Sequence, residues 1–295
     1  MSRAATKAWL RDRLNQYAIL MRLNRPIGIF LLLWPTLWAL WVAGDGKPDL
    51  LVLFVFVTGV VLMRSAGCVI NDFADRAIDK HVLRTRDRPI TSGRVKPAEA
   101  LVLFLVLVLI AFGLVLLMNR LTVYLSFAAV ALAAVYPFMK RYTYLPQVVL
   151  GAAFAFSVPM AFAAQTGSVP KVAWLLYVVT LVWTVAYDTL YAMADREDDL
   201  RIGVKSTAIL FGELDKAMVG FFQAVVLIGL WLFAKEAGLS WVFGLGVITA
   251  AILFGFQQFL IRDREPARCF EAFLNNNWVG AAVFAGIALD YLSNY

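Results

Sequence analysis

The run Asn71-Asp72-Phe73-Ala74-Asp75-Arg76-Ala77-Ile78-Asp79 places an N-D-x-x-D-x-x-x-D pattern at the end of a long apolar stretch. On a helix turning 100° per residue, Asn71, Asp75 and Asp79 fall within about 80° of one another, with Asp72 beside them. Like charges at this spacing repel, and acids that a membrane helix turns toward a bundle interior bind cations or protons. Tyr187-Asp188, Tyr191 and Asp195-Arg196-Glu197-Asp198-Asp199 repeat the device, with Asp195 and Asp199 forming a second D-x-x-x-D pair. Asp75 to Asp195 and Asp79 to Asp199 are both offsets of 120 residues. The equal offset reads as a weak parallel internal repeat, whose two halves present both clusters to one cytoplasm-facing cavity. Carboxylate and amide oxygens suit hard divalent cations, Mg²⁺ above all, which takes one or two carboxylates and completes its shell with phosphate oxygens. Cys68 and Cys269 have neither a disulfide framework nor metal-ligand spacing, and His81 reads as solvated.

Basic residues supply the complementary chemistry. Arg64 lies seven residues before Asn71, on the same helix face and about two turns deeper. An arginine at that depth faces the interior and holds something anionic, either a ligand or a carboxylate of another helix. Lys140 and Arg141 close a later apolar run, while Arg84, Arg86 and Arg88 lie beyond the first acidic cluster. Topology alone accounts for most of these. Trp34, Trp38 and Trp41 recur at i, i+4, i+7 and read as helix packing and interfacial anchoring rather than as a substrate groove.

What must position these residues is a membrane domain. Of 295 residues 62% are apolar and 16% charged, with a mean hydropathy of +0.76. A soluble globule is excluded. Apolar runs near 28–43, 50–75, 97–118, 121–138, 145–164, 171–194, 217–234, 239–260 and 273–291 give nine spans, each near the roughly 20 residues a helix needs to cross the hydrocarbon. The expected fold is all-α and integral to the lipid bilayer. Residues 28–295 form one polytopic domain, preceded by a segment, 1–27, that is no signal peptide. Leu10, Leu14, Tyr17 and Met21 make its apolar face, which fits a helix lying on the membrane surface.

Charge sets the orientation. The N-terminal segment and the four even-numbered connections carry 22 of the 27 Lys and Arg, and the opposite side carries Lys47, Arg120, Lys171 and Lys235. The positive-inside rule therefore puts the N-terminus in the cytoplasm and, with nine spans, Tyr295 outside. The net charge of +7 is explained by these loops and implies no nucleic-acid partner.

Together with Lys205-Ser206-Thr207, the two acidic runs resemble the UbiA-type intramembrane prenyltransferases. Arg25-Pro26-Ile27-Gly28, Leu33-Trp34-Pro35-Thr36, Arg86-Asp87-Arg88-Pro89-Ile90 and Tyr136-Pro137-Phe138-Met139-Lys140-Arg141 look like its 4-hydroxybenzoate polyprenyltransferase branch, in ubiquinone biosynthesis of the bacterial inner membrane. The resemblance implies nine transmembrane helices around a cavity in which Mg²⁺ bridges aspartates to a polyprenyl diphosphate. It places Asn71, Asp75, Asp79, Asp195 and Asp199 at the metal. It leaves Lys140, Arg141, Asp188, Tyr191 and Arg64 to the two substrates, the diphosphate and 4-hydroxybenzoate. The rival readings are a prenyltransferase of the same family with a different aromatic acceptor and a cation-coupled transporter. For the transporter the test is depth. Its acids belong near the bilayer midplane, whereas both clusters here end their helices beside basic loops.

Overall fold

The computed structural model describes residues 3–77, 79–81 and 85–293, without the side chains of 3–6, 8 and 81. Arg84, the His81 side chain and Tyr295 lie outside the described residues. Among those described, secondary structure is helical throughout. The helices are α1 (Arg3–Leu20), α2 (Ile27–Ala43), α3 (Leu50–Asp75), α4 (Pro97–Val115), α5 (Arg120–Tyr142), α6 (Pro146–Ala155), α7 (Ser157–Thr166), α8 (Lys171–Ile202), α9 (Thr207–Phe211), α10 (Asp215–Ala237), α11 (Trp241–Leu260) and α12 (Pro266–Ser293). Eight helical segments among the described residues are long and apolar enough to cross a membrane, and the 17-residue α2 is a ninth, shorter apolar helix. The nine expected spans are thus recovered. One of them is α6 and α7 together, broken at Phe156. Pro159 is the cause, since it has no N–H for the Ala155 carbonyl and its ring crowds that oxygen.

The chain forms two compact units. The first comprises residues 1–29 and 58–114. Its core is Leu20, Ala66, Val69, Ile90, Val95, Ala100 and Leu107, with Tyr17 and Met21 packed against it. The apolar face expected of α1 is therefore divided. Its C-terminal half is docked on this core, while Trp9, Leu10 and Leu14 are the large apolar side chains left exposed among those described. Arg13 fixes the docking through an ion pair with Glu99, which also accepts from the Tyr17 hydroxyl at 3.4 Å.

The second unit comprises residues 30–57 and 115–295. Its polar hub is the run Asn275-Asn276-Asn277 on α12. Successive residues point 100° apart, so the three amides seize three different helices. Asn275 accepts from Gln257 of α11 at 2.9 Å, Asn276 from Trp183 of α8 at 2.9 Å, and Asn277 from Trp34 of α2 at 3.0 Å. Gln257 in turn accepts from Gln223 of α10 at 2.8 Å. Buried amides in a membrane core act as such interhelical ties. Trp34, Trp38 and Trp41 are packing residues, as expected: Trp38 stacks on Trp183 at 5.1 Å, and Trp34 and Trp41 both meet Phe284.

Candidate functional site

The first acidic run crosses a helix end. α3 stops at Asp75, and Asp79 opens a separate 3₁₀ turn, Asp79–His81. The single helical face expected for Asn71, Asp75 and Asp79 is thus not formed, although Asn71 and Asp75 share theirs. Arg76 closes the helix by donating to the Phe73 carbonyl at 2.6 Å, and the Thr85 hydroxyl holds the Asp79 carbonyl at 3.1 Å.

Two arginines organise the acids around this helix end. Arg22, at φ +60 in the turn between α1 and α2, donates to both oxygens of Asp72, at 2.9 and 3.1 Å. Positive φ is uncommon for arginine. Arg88 Nη1 stands 3.0 Å from Asp72 Oδ1 and donates to Asp79 Oδ2 at 2.8 Å. Asp72, 2% exposed, is therefore a buried carboxylate held between two guanidinium groups. Burial pushes the Asp79 carboxyl above the usual range, the neighbouring charge of Asp75 adds to this, and Arg88 opposes it. Arg88 stands in the sequence only as part of the motif at residues 86–90, with no role assigned to it, and Arg22 is indistinguishable there from residues that merely mark a basic segment.

The second acidic run lies wholly within α8, which continues unbroken to Ile202. Asp188, Asp195 and Asp199 share a helix face to within about 40°, and Tyr191 flanks it. The half-buried Asp195 and Asp199 continue the aromatic ladder Trp183, Tyr187, Tyr191 at steps of four. Trp183 meets Tyr187 edge-on at 5.4 Å, and Tyr191 sits edge-on to Phe273 at 5.0 Å and to Phe270 at 6.0 Å. Two runs of equal spacing are thus carried differently, one across a helix end and one inside a helix.

In the second unit a basic cluster forms where α5 ends. Gly203, at φ +72, terminates α8 in the left-handed conformation that glycine adopts without strain. The turn brings Lys205 back to α5, where its N–H donates to the Lys140 carbonyl at 3.1 Å and its Nζ to the Tyr142 carbonyl at 3.3 Å. Arg141 is exposed beside them, 6.0 Å over the Phe138 ring. In the first unit Arg64 Nη1 donates to Cys68 Sγ at 3.1 Å.

The expected metal donors are all oxygen. Among the described residues no three His, Cys, Asp or Glu side chains stand together as a preformed cage. It is the oxygen chemistry of these donors that suits Mg²⁺, which takes one or two carboxylates and completes its octahedron with phosphate oxygens and water.

Residues 32–285 match the model of the UbiA prenyltransferase family. The 4-hydroxybenzoate octaprenyltransferase of Nitrosococcus oceani is 62% identical over 96% of this chain and 100% of its own, and that of Alkalilimnicola ehrlichii is 61% identical over 97% of each. Among solved structures, the apo form of a UbiA homologue from Aeropyrum pernix superposes with a TM-score of 0.77 at 26% identity, covering 89% of this chain and 97% of that one. A UbiA homologue from Archaeoglobus fulgidus, solved with GPP and Mg²⁺, has the same fold at a TM-score of 0.70 and 18% identity, covering 92% of this chain and 99% of that one.

Proposed function

The chain belongs to the UbiA prenyltransferase family, and from that premise we propose that it transfers a polyprenyl group from a polyprenyl diphosphate to 4-hydroxybenzoate, releasing diphosphate. The bond forms at the ring carbon ortho to the hydroxyl, as ubiquinone biosynthesis requires. The names of the relatives point to an octaprenyl donor. The protein works in the bacterial inner membrane, with its basic connections and N-terminus in the cytoplasm and its C-terminus in the periplasm.

The observation that carries this reading is the stripe on α8, where aromatic rings at 183, 187 and 191 lead at steps of four to the carboxylates at 195 and 199. Prenyl transfer needs that pairing. Breaking the allylic C–O bond leaves a carbocation, which aromatic faces stabilise, and puts negative charge on the departing diphosphate. When bound, Mg²⁺ supplies the Lewis acid that neutralises this charge. Asn71, Asp75 and Asp79, together with Asp195 and Asp199, are the residues that would hold it.

Lys140 and Arg141 take the diphosphate oxygens in charge-assisted hydrogen bonds. Tyr191 presents its ring to the allylic cation, and Asp188, on the same side of α8, orients the bound substrates. Arg64 holds the carboxylate of 4-hydroxybenzoate. The electron-rich ring then forms the new C–C bond and loses its ring proton to the released diphosphate, which restores aromaticity. Apolar walls exclude water, which would trap the cation as an alcohol.

The test is turnover of purified protein with Mg²⁺, 4-hydroxybenzoate and polyprenyl diphosphates of graded length, with products identified by mass. The expected product is a ring-prenylated 4-hydroxybenzoate whose formation ceases with excess chelator. Full turnover in metal-free buffer, or no prenylated acid with any donor, refutes the reading.

A further inference from the structure

Gly28 lies in the first turn of α2, directly against the guanidinium of Arg64. A Cβ built on Gly28 would fall 2.7 Å from Arg64 Cζ and nearer still to Nε and Nη2, inside the space the guanidinium fills. One turn along α3, Cys68 Sγ accepts from Arg64 Nη1 at 3.1 Å. Cys68 is itself buried. The guanidinium is thus gripped between the bare backbone of α2 and a thiol of its own helix.

An arginine side chain has many rotamers, so a binding group of this kind is effective only if its orientation is fixed beforehand. Glycine is also a poorer helix former than alanine, at some cost to the helix. At position 28 that cost has a clear counterpart, because every other side chain would occupy the place of the guanidinium.

We propose that Gly28 is a positioning residue, acting with Cys68 to set the guanidinium of Arg64 for the carboxylate of the aromatic acceptor. This rests on the reading of Arg64 as the acceptor's carboxylate ligand. Gly28 touches no substrate; it acts through the arginine. Any side chain at 28 turns Arg64 aside and weakens the acceptor without disturbing the polyprenyl diphosphate.

The experiment is a double-mutant cycle read as KM for each substrate in Gly28→Ala, Arg64→Ala and the combined variant. Gly28→Ala should raise the KM for 4-hydroxybenzoate about tenfold, the cost of a binding group misplaced by about 1 Å or less, and leave the donor KM unchanged. On Arg64→Ala the glycine substitution should add nothing, and on Arg64→Lys, which lacks the flat guanidinium, it should add little. Equal effects of Gly28→Ala with and without Arg64, or an unmoved acceptor KM in Gly28→Ala where Arg64→Ala raises it, overturn the positioning role. An acceptor KM unmoved by Arg64→Ala itself overturns the assignment of Arg64 and the positioning role with it. Should Gly28→Ala fail to fold, Cys68→Val decides. It removes the sulfur acceptor while keeping an apolar side chain, and an unchanged acceptor KM there overturns the proposal.

Discussion

Arg88 donates to Asp79 at 2.8 Å with the same nitrogen that stands 3.0 Å from Asp72, so one guanidinium nitrogen serves both carboxylates. A cation drawn to Asp79 must compete with it. Arg88→Ala removes that competitor and leaves two buried acids facing each other, so the Mg²⁺ concentration for half-maximal rate should fall about tenfold, the equivalent of one charge-assisted hydrogen bond. Metal titration of the purified variant checks this, and an unchanged requirement means that arginine and cation do not share Asp79.

Asp72 and Asp75 lie on one helix yet should fail differently. Asp72 is buried between Arg22 and Arg88. Its removal leaves Arg22 without its carboxylate, while Arg88 keeps Asp79, at a cost on the order of 3 kcal/mol, so Asp72→Ala should lower the melting temperature in detergent. Asp75→Ala, at a half-buried position beside the helix end, should melt like the parent while losing turnover. Thermal denaturation and rate measured on the same preparations separate the two, and matching melting curves with matching rates would remove the distinction.

The three asparagines of α12 make a different kind of prediction, because they touch packing and not substrate. Asn276→Ala leaves the buried Trp183 N–H without its acceptor, and in a membrane core such a loss costs about 1 kcal/mol. The melting temperature should drop while both KM values hold. A changed acceptor or donor KM would show that the hub reaches the chemistry through Trp183 and the ladder above it.

How far the sequence is legible depends on whether a residue's place is set locally. Asp195 and Asp199 share a face because α8 runs on through them, and periodicity reads that directly. Asp79 does not, because no glycine or proline marks the end of α3. The helix stops where Arg76 takes the Phe73 carbonyl and Arg88 takes Asp79, and such long-range partners leave no periodic trace. The break at Phe156 is in principle visible in Pro159, but an apolar run of span length hides it. Arg22 is the extreme case, since nothing about a basic residue before the first span indicates a positive φ aimed at a buried aspartate. Nine spans are legible because bilayer thickness imposes them one at a time, whereas the asparagine hub requires knowing which helices are neighbours.

The donor side of the reaction should answer to the basic end of α5. The last carbonyls of a helix are unpaired and carry the negative end of its dipole, which would repel a diphosphate. Lys205 offsets this by donating to the Tyr142 carbonyl from its ammonium group and to the Lys140 carbonyl from its backbone, while Arg141 stays exposed where an anion can reach it. Arg141→Ala should therefore raise the donor KM about tenfold, the worth of a charge-assisted hydrogen bond. Lys205→Ala keeps the backbone bond and should raise it by a smaller factor. Neither should alter the KM for 4-hydroxybenzoate. Initial rates across both substrate series check this, and an unmoved donor KM in both variants would send the diphosphate to other basic residues.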